Sequence, residues 1–254
     1  MPQLVLTGLP GIPEVRVGDS LAGLILAALD RNGCTLLEED VLVVAQKIVS
    51  KAEGRQVALD SVEPSPEAHA LARDADKDPR LMELVLRESH AVMRVKRGVV
   101  IVEHRLGLVM ANAGVDQSNL TADTPGPVAL LLPENPDASA QRLRAEIRAA
   151  RGVNIGVIIN DSFGRAWRNG VTGVAIGVAG VPAVVDMRGS VDRSGRELKV
   201  TQIAAADELA AAASLVMGQA GEGLPAVHAR GFPYRLRESS LAELIRPHDE
   251  DLFR

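Results

Sequence analysis

Residues 153–162 read Val153-Asn154-Ile155-Gly156-Val157-Ile158-Ile159-Asn160-Asp161-Ser162. A nearly continuous β-branched run predicts a strand buried on both faces over Val153–Ile159, stopping at the polar Asn160-Asp161-Ser162. Upstream, Leu143 and Ile147 are spaced by four, which predicts a helix to about Arg151 capped by Asp137. A second buried strand is expected over Val41–Ala45, leading into Gln46–Gly54. Helices are expected over Leu21–Arg31 (capped by Asp19 or Ser20), Pro66–Asp74, Pro79–Glu88 and, rich in alanine, Ile203–Met217. Shorter strands are expected at 3–7, at Val92–Val95 and Val99–Glu103 about a Lys96-Arg97-Gly98 turn, and at Leu108–Ala111, Val174–Val178 and Ala183–Asp186. The four prolines of Ala122–Pro136 predict extended chain, Asp192–Gly195 a turn, and Leu241–Ile245 an amphipathic helix. Strands and helices interleave without strict βαβ alternation, so the class is α+β with mixed or antiparallel sheets.

The 254 residues suffice for one large domain or two intimately packed subdomains, and 46% hydrophobic composition excludes a disordered chain. Aromatic residues are only 2% of the chain, too few for base-stacking platforms. Lys and Arg number 28 against 33 Asp and Glu, so no basic excess is available for a phosphate backbone and no nucleic-acid partner is expected. Cys34 stands alone and the five histidines show no HExxH spacing, which argues against zinc. The start lacks a basic n-region, and the apolar run Leu21–Leu29 is too short for a bilayer. A cytoplasmic protein without a membrane partner is expected.

Chemistry concentrates in a few polar stretches. Asp116 lies in Asn112-Ala113-Gly114-Val115-Asp116-Gln117-Ser118-Asn119; Asp161 adjoins Ser162; Gln219 lies near Glu222. These are oxygen donors, which suit Mg²⁺ or Mn²⁺. By spacing, Asp116 and Asn119 read first as turn caps and second as cation ligands. Asp161, just beyond an apolar strand, stands where α/β sheets hold ligands. Lys47 and Lys51 are four apart and share a helical face, either solvated or bracketing an anion. Ser162-Phe163-Gly164-Arg165-Ala166-Trp167-Arg168-Asn169-Gly170 holds the only Trp beside two arginines able to grip carboxylate or phosphate. Gly218-Gln219-Ala220-Gly221-Glu222-Gly223 follows a helix, so it reads first as a C-cap and is not a P-loop. Ser162 lacks a GxSxG context and Cys34 a neighbouring His, leaving no hydrolase nucleophile in view.

Taken together, five stretches in order resemble the coenzyme F420-0:γ-L-glutamate ligase family over nearly the whole chain. They are Gly8-Leu9-Pro10, Ile48-Val49-Ser50-Lys51-Ala52-Glu53-Gly54-Arg55, Ala111–Asn119, Asp161–Gly170 and Met217-Gly218-Gln219. The resemblance implies one catalytic domain over 1–254, with an α+β fold of two subdomains. It also implies a homodimer and a GTP-dependent amide ligase that adds L-glutamate, γ-linked, to F420-0 through an acyl phosphate. Two Mg²⁺ or Mn²⁺ ions are implied, with K⁺ a further candidate. Asp116 and Asp161 would hold one cation, Ser162 and Gln219 a second. Leu9, Pro10, Gly11, Ile12, Gln46, Lys47, Lys51, Asn119 and Met217-Gly218-Gln219-Ala220-Gly221-Glu222-Gly223-Leu224 would contact GTP. Lys51 would offset charge on the transferring phosphoryl group. Arg165 and Arg168 are assigned to substrate carboxylates or the F420-0 phosphate by their chemistry alone. The family often has Asp-Thr at Asp161-Ser162 and an acidic residue near Gly221. The length leaves no room for the flavin-binding domain that follows in some relatives. The competing expectations are a metal-dependent nucleotide hydrolase, a ligase for another carboxylate and amine, and a nucleotide-binding sensor without turnover.

Overall fold

The computed structural model describes residues 2–118 and 126–252. Its centre is a five-stranded sheet in the order β1 (Val5–Gly8), β12 (Ala226–Arg230), β2 (Val41–Ala45), β8 (Gly156–Arg165), β9 (Arg168–Ala179). Only β2 and β8 run parallel; the other neighbours are antiparallel. Alternate residues of the central strands enter two separate cores. Leu42, Val44, Val157 and Ile159 pack under α1 (Leu21–Arg31) and α5 (Pro136–Arg151). Val41, Val43 and Ile158 pack under α6 (Ala205–Met217). Both faces are covered, which is why these strands read as continuous apolar runs rather than alternating ones.

A second layer consists of α3 (Pro66–Ala75) and α4 (Pro79–Arg87) against the three-stranded antiparallel sheet β4 (Ser89–Lys96), β5 (Val99–His104), β6 (Val109–Ala111). Leu71, Met82, Val85, Val100 and Val102 form its core. Two small antiparallel pairs complete the fold: β3 (Gln56–Ala58) with β7 (Val128–Leu130), and β10 (Val185–Asp186) with β11 (Gln202–Ile203). The class is α+β, as the interleaved pattern predicts. A seven-residue helix, α2 (Gln46–Ala52), leaves β2 without an intervening loop. Among the described residues no helix is long and apolar enough to cross a membrane.

The local expectations hold at α1, where Ser20 Oγ accepts from Gly23 N at 3.1 Å, and at β2, α3, α4, α6 and the β4–β5 hairpin. Three are corrected. Asn135, not Asp137, caps α5, accepting from Ala138 N at 3.0 Å ahead of Pro136 in the first turn. The Asp137 carboxylate instead accepts from Val178 N (2.8 Å) and Leu241 N (2.9 Å), tying α5 to β9 and to the C-terminal segment. Strand β8 does not stop at Asn160; it runs to Arg165, because β9 folds back and pairs with it beyond a bulge at Ile159/Asn160. The C-terminal helix shrinks to a 3₁₀ turn, Leu241–Glu243. Of the extended Ala122–Pro136 segment, residues 122–125 lie outside the described residues.

Candidate active site

The parallel pairing of β2 with β8 ends where Ala45 stands opposite Asn160; β2 stops there while β8 runs on, paired with β9 alone. From that level α2 carries Lys47 and Lys51 on one face, while β8 carries Asp161 and Ser162 onward. This is the carboxyl end of parallel strands, where open sheets bind ligands. Asp116 arrives from the second layer. Asn112, Ala113 and Gly114 adopt left-handed φ of 51°, 53° and 66°, a sharp turn that glycine and asparagine tolerate and that strains Ala113. Asp116 N and O then pair with Leu130 O and N at 3.0 and 2.8 Å. The fourth contributor is the loop after α6. Ser162 pairs with Gly173, and a Cβ at Gly173 would lie 2.1 Å from Ser214 Oγ. The bare backbone lets α6 rest directly on β9, which lowers the loop onto Ser162.

These pieces enclose a cavity of about 550 Å³. Lys47 Nζ lies 2.5 Å from Asp116 Oδ2 and donates to Ser118 Oγ at 2.7 Å. Lys51 Nζ lies 2.5 Å from Glu14 Oε1. Gln219 Nε2 donates to Ser162 Oγ at 3.1 Å, and Gln46 Oε1 accepts from Ser50 Oγ at 3.0 Å. The Glu222 carboxylate accepts from Ala220 N (2.8 Å) and fills the space a Gly218 Cβ would need, 2.1 Å from Glu222 Cδ. With φ of 74° Gly218 is required by its backbone, since the Glu222 side chain is free to swing aside but a side chain at 218 would be strained.

The carboxylates titrate apart. Although Asp161 keeps some surface open to the cavity, burial pushes its carboxyl up to about 6, and the Asp116 charge adds to the rise against the Ser162 backbone donor and Lys47. Burial also acts to raise Asp116, but Lys47 and the Ser118 donors outweigh it and hold that carboxyl low. A buried carboxylate beside a like charge is relieved by a cation. Asp116, Asp161, the Ser162 hydroxyl and the Gln219 amide therefore fit Mg²⁺ or Mn²⁺ in donor type. Among the described residues no three His, Cys, Asp or Glu gather where they could hold a metal ion.

The predicted residues Ile12, Gln46, Lys47, Lys51, Asp116, Asp161, Ser162 and Met217–Leu224 all line this one cavity. Leu9, Pro10 and Gly11 do not: Leu9 is fully buried and donates its N–H to Ala226 O, and the carbonyls of Pro10 and Gly11 are held by Asn32 and Arg31. Arg165 and Arg168 pair with each other at the exposed tip of the β8–β9 hairpin, outside the cavity lining. Asn119 lies outside the described residues. Glu14, Asn160 and Ser214 line the cavity without having been singled out as site residues. Glu14 sits in an aperiodic loop, and Ser214 reads as one polar residue in an alanine-rich helix, so neither carries a local signal.

The sequence profile described as F420-0:Gamma-glutamyl ligase matches residues 11–231. The chain belongs to this ligase family. Coenzyme F420:L-glutamate ligase of Methanothermobacter thermautotrophicus is 46% identical over 251 residues, covering 98% of each chain. The protein of that name from Methanopyrus kandleri is 48% identical over 258 residues, covering 100% of this chain and 99% of its own. That of Haloarcula marismortui is 42% identical over 250 residues, with 96% and 93% covered. The resemblance read from five short motifs is thus borne out over essentially the whole family length.

Proposed function

We propose that this ligase joins the amine of L-glutamate to the carboxylate of F420-0, one or more times in γ linkage, and that GTP supplies the driving force. The relatives' shared name supports the two substrates. The observation that carries the reading is the convergence of Lys47, Lys51, Asp116, Asp161, Ser162 and Gln219, scattered along the chain, on one cavity. Charge supports the need for cations. The lining holds two lysines and four carboxylates (Glu14, Asp116, Asp161, Glu222), a formal −2 when all are ionised, which repels a polyphosphate. Two divalent ions, one held by Asp116 and Asp161 and one by Ser162 and Gln219, would reverse that sign and neutralise phosphate oxygens.

Amide formation from a free carboxylate is uphill in water, so the carboxylate is activated first. Its oxygen attacks the γ-phosphorus of GTP, the bond to the β–γ bridging oxygen breaks, and GDP leaves. The glutamate nitrogen then attacks the acyl carbon, and phosphate departs carrying the amine proton. Lys51, fixed in the wall by α2, and Lys47 offset charge on the transferring group. The Gly218–Leu224 loop and Gln46 pack the nucleotide. Arg165 and Arg168 hold the anionic tail of F420-0 from the hairpin tip. The family resemblance implies that the enzyme acts as a homodimer. Purified protein supplied with GTP, Mg²⁺ or Mn²⁺, F420-0 and L-glutamate yields GDP, phosphate and a product heavier by glutamyl increments. GTP turnover indifferent to both acceptor substrates would replace this reading with a nucleotide hydrolase.

A further inference from the structure

The loop between β1 and α1 brings a carboxylate to the cavity that none of the five motifs contains. Glu14 lines the cavity, with Oε1 2.5 Å from Lys51 Nζ. The two partners differ in setting. The Lys51 side chain is 8% exposed and locked into the wall, whereas that of Glu14 is 49% exposed. Lys47 is held similarly by Asp116, but that carboxylate belongs to the proposed cation site, and Glu14 does not.

The loop is anchored independently of Glu14. Val15 is buried, Leu9 N donates to Ala226 O at 3.0 Å and Gly18 N to Ala52 O at 2.9 Å. Arg31 Nη2 donates to Gly11 O at 2.5 Å and Asn32 Nδ2 to Pro10 O at 3.2 Å. The loop thus has several anchors besides Glu14.

We infer that Glu14 is an exchangeable counter-charge. It holds the Lys51 ammonium in the cavity before ligand arrives, and yields it to the phosphate of an entering polyphosphate anion. The reasoning is electrostatic. An ammonium in a nearly closed wall is costly without an anionic partner, so one must be supplied while the cavity is empty. A half-exposed carboxylate gives up such a contact at little cost, because water solvates it on release. The same carboxylate competes with the ligand for Lys51 and repels it by charge. Glu14 thus limits how tightly the site binds, in exchange for keeping Lys51 placed. The inference deepens the nucleotide reading and rests on a polyphosphate being the ligand.

Glu14→Gln keeps an acceptor oxygen for Lys51 and removes the charge. Calorimetric titration of GTP and, separately, tripolyphosphate, each with Mg²⁺, is to be compared in wild type, Glu14→Gln, Lys51→Gln and the double variant. Glu14→Gln is expected to bind both anions about threefold or more tightly than wild type, while the ligand-free protein melts lower. The gain disappears when Lys51→Gln is also present. A merely structural glutamate gives the lower melting temperature with equal or weaker binding, which overturns the inference. If wild type binds tripolyphosphate but not GTP, the nucleotide reading falls and Glu14 is judged on the tripolyphosphate data. If neither protein binds either anion, both readings fall.

Discussion

Asp161 shows at the scale of one residue how position replaces sequence context. Its neighbours Asn160 and Ser162 are unremarkable polar residues, yet burial and the facing Asp116 charge place its carboxyl at about 6. Such a group gains little for folding and much for cation binding. Asp161→Asn is expected to melt no lower than wild type while turnover falls about 100-fold or more, the loss typical of a missing ligand or charge stabiliser. Activity within a factor of a few of wild type, with folding intact, would remove Asp161 from the cation set. Gly218 is the other residue whose identity is dictated on the spot, because its positive φ of 74° strains any side chain.

At the scale of elements, two junctions matter. The β8–β9 hairpin carries Asp161 and Ser162, the proposed cation ligands, near its base and Arg165 and Arg168 at its tip, where Trp167 is exposed with φ of 63°. An exposed tip contributes little to packing. Arg165→Ala and Arg168→Ala should therefore shift the melting temperature by no more than about 1 °C while raising KM for F420-0 several-fold. Unchanged KM in both would detach the tip from substrate binding. The second junction joins the two layers. Arg55, after α2, donates to both Glu88 oxygens at 3.0 Å and to Leu132 O at 2.8 Å; Arg105 Nε reaches Glu88 Oε2 at 3.1 Å, and His104 Nε2 lies 3.5 Å away. Burial alone would raise the Glu88 carboxyl, but His104, Arg55 and Arg105 outweigh it and hold it at about 2. Because the folded value lies below the ordinary 4.5, Glu88 contributes stability above about pH 5 and loses it as pH falls through 4.5 toward 2. The contribution is on the order of 3 kcal/mol. Urea midpoints of wild type and Glu88→Gln should differ clearly at pH 7, draw together below pH 4.5 and converge only near pH 2. A gap that stays constant with pH would mean the charge of Glu88 is not what stabilises the junction.

For the molecule as a whole, the site exists only when both layers and the N-terminal loop are assembled, so ligand and fold are thermodynamically linked. Saturating GTP with Mg²⁺ should raise the melting temperature by about 5 °C or more, since a ligand at a hundred times its Kd adds about 2.7 kcal/mol. GTP with the metal chelated should shift it far less, because the cavity's formal charge is −2. Equal shifts with and without metal would contradict the cation requirement. The class and most elements were legible in the sequence because burial of β2 and β8 on both faces writes itself as uninterrupted Val and Ile, and because Ser20, Pro66 and Pro79 mark the starts of their helices. The stretches around Lys47, Asp116, Asp161 and Gln219 that line the cavity stood out in the sequence because each gathers small and polar residues at an element's end. The extent of β8 was not, since its polar half is stabilised by pairing with β9 rather than by its own composition. Nor was the α5 cap, where Asp137 is drawn away by Val178 and Leu241, residues 41 and 104 positions distant. Local order thus came from the sequence alone, because propensity and burial act on neighbours along the chain. Tertiary structure alone decided that Glu14 meets Lys51, that Gln219 meets Ser162, and that the hairpin arginines stand outside the cavity. Those contacts join segments whose separation no local pattern encodes.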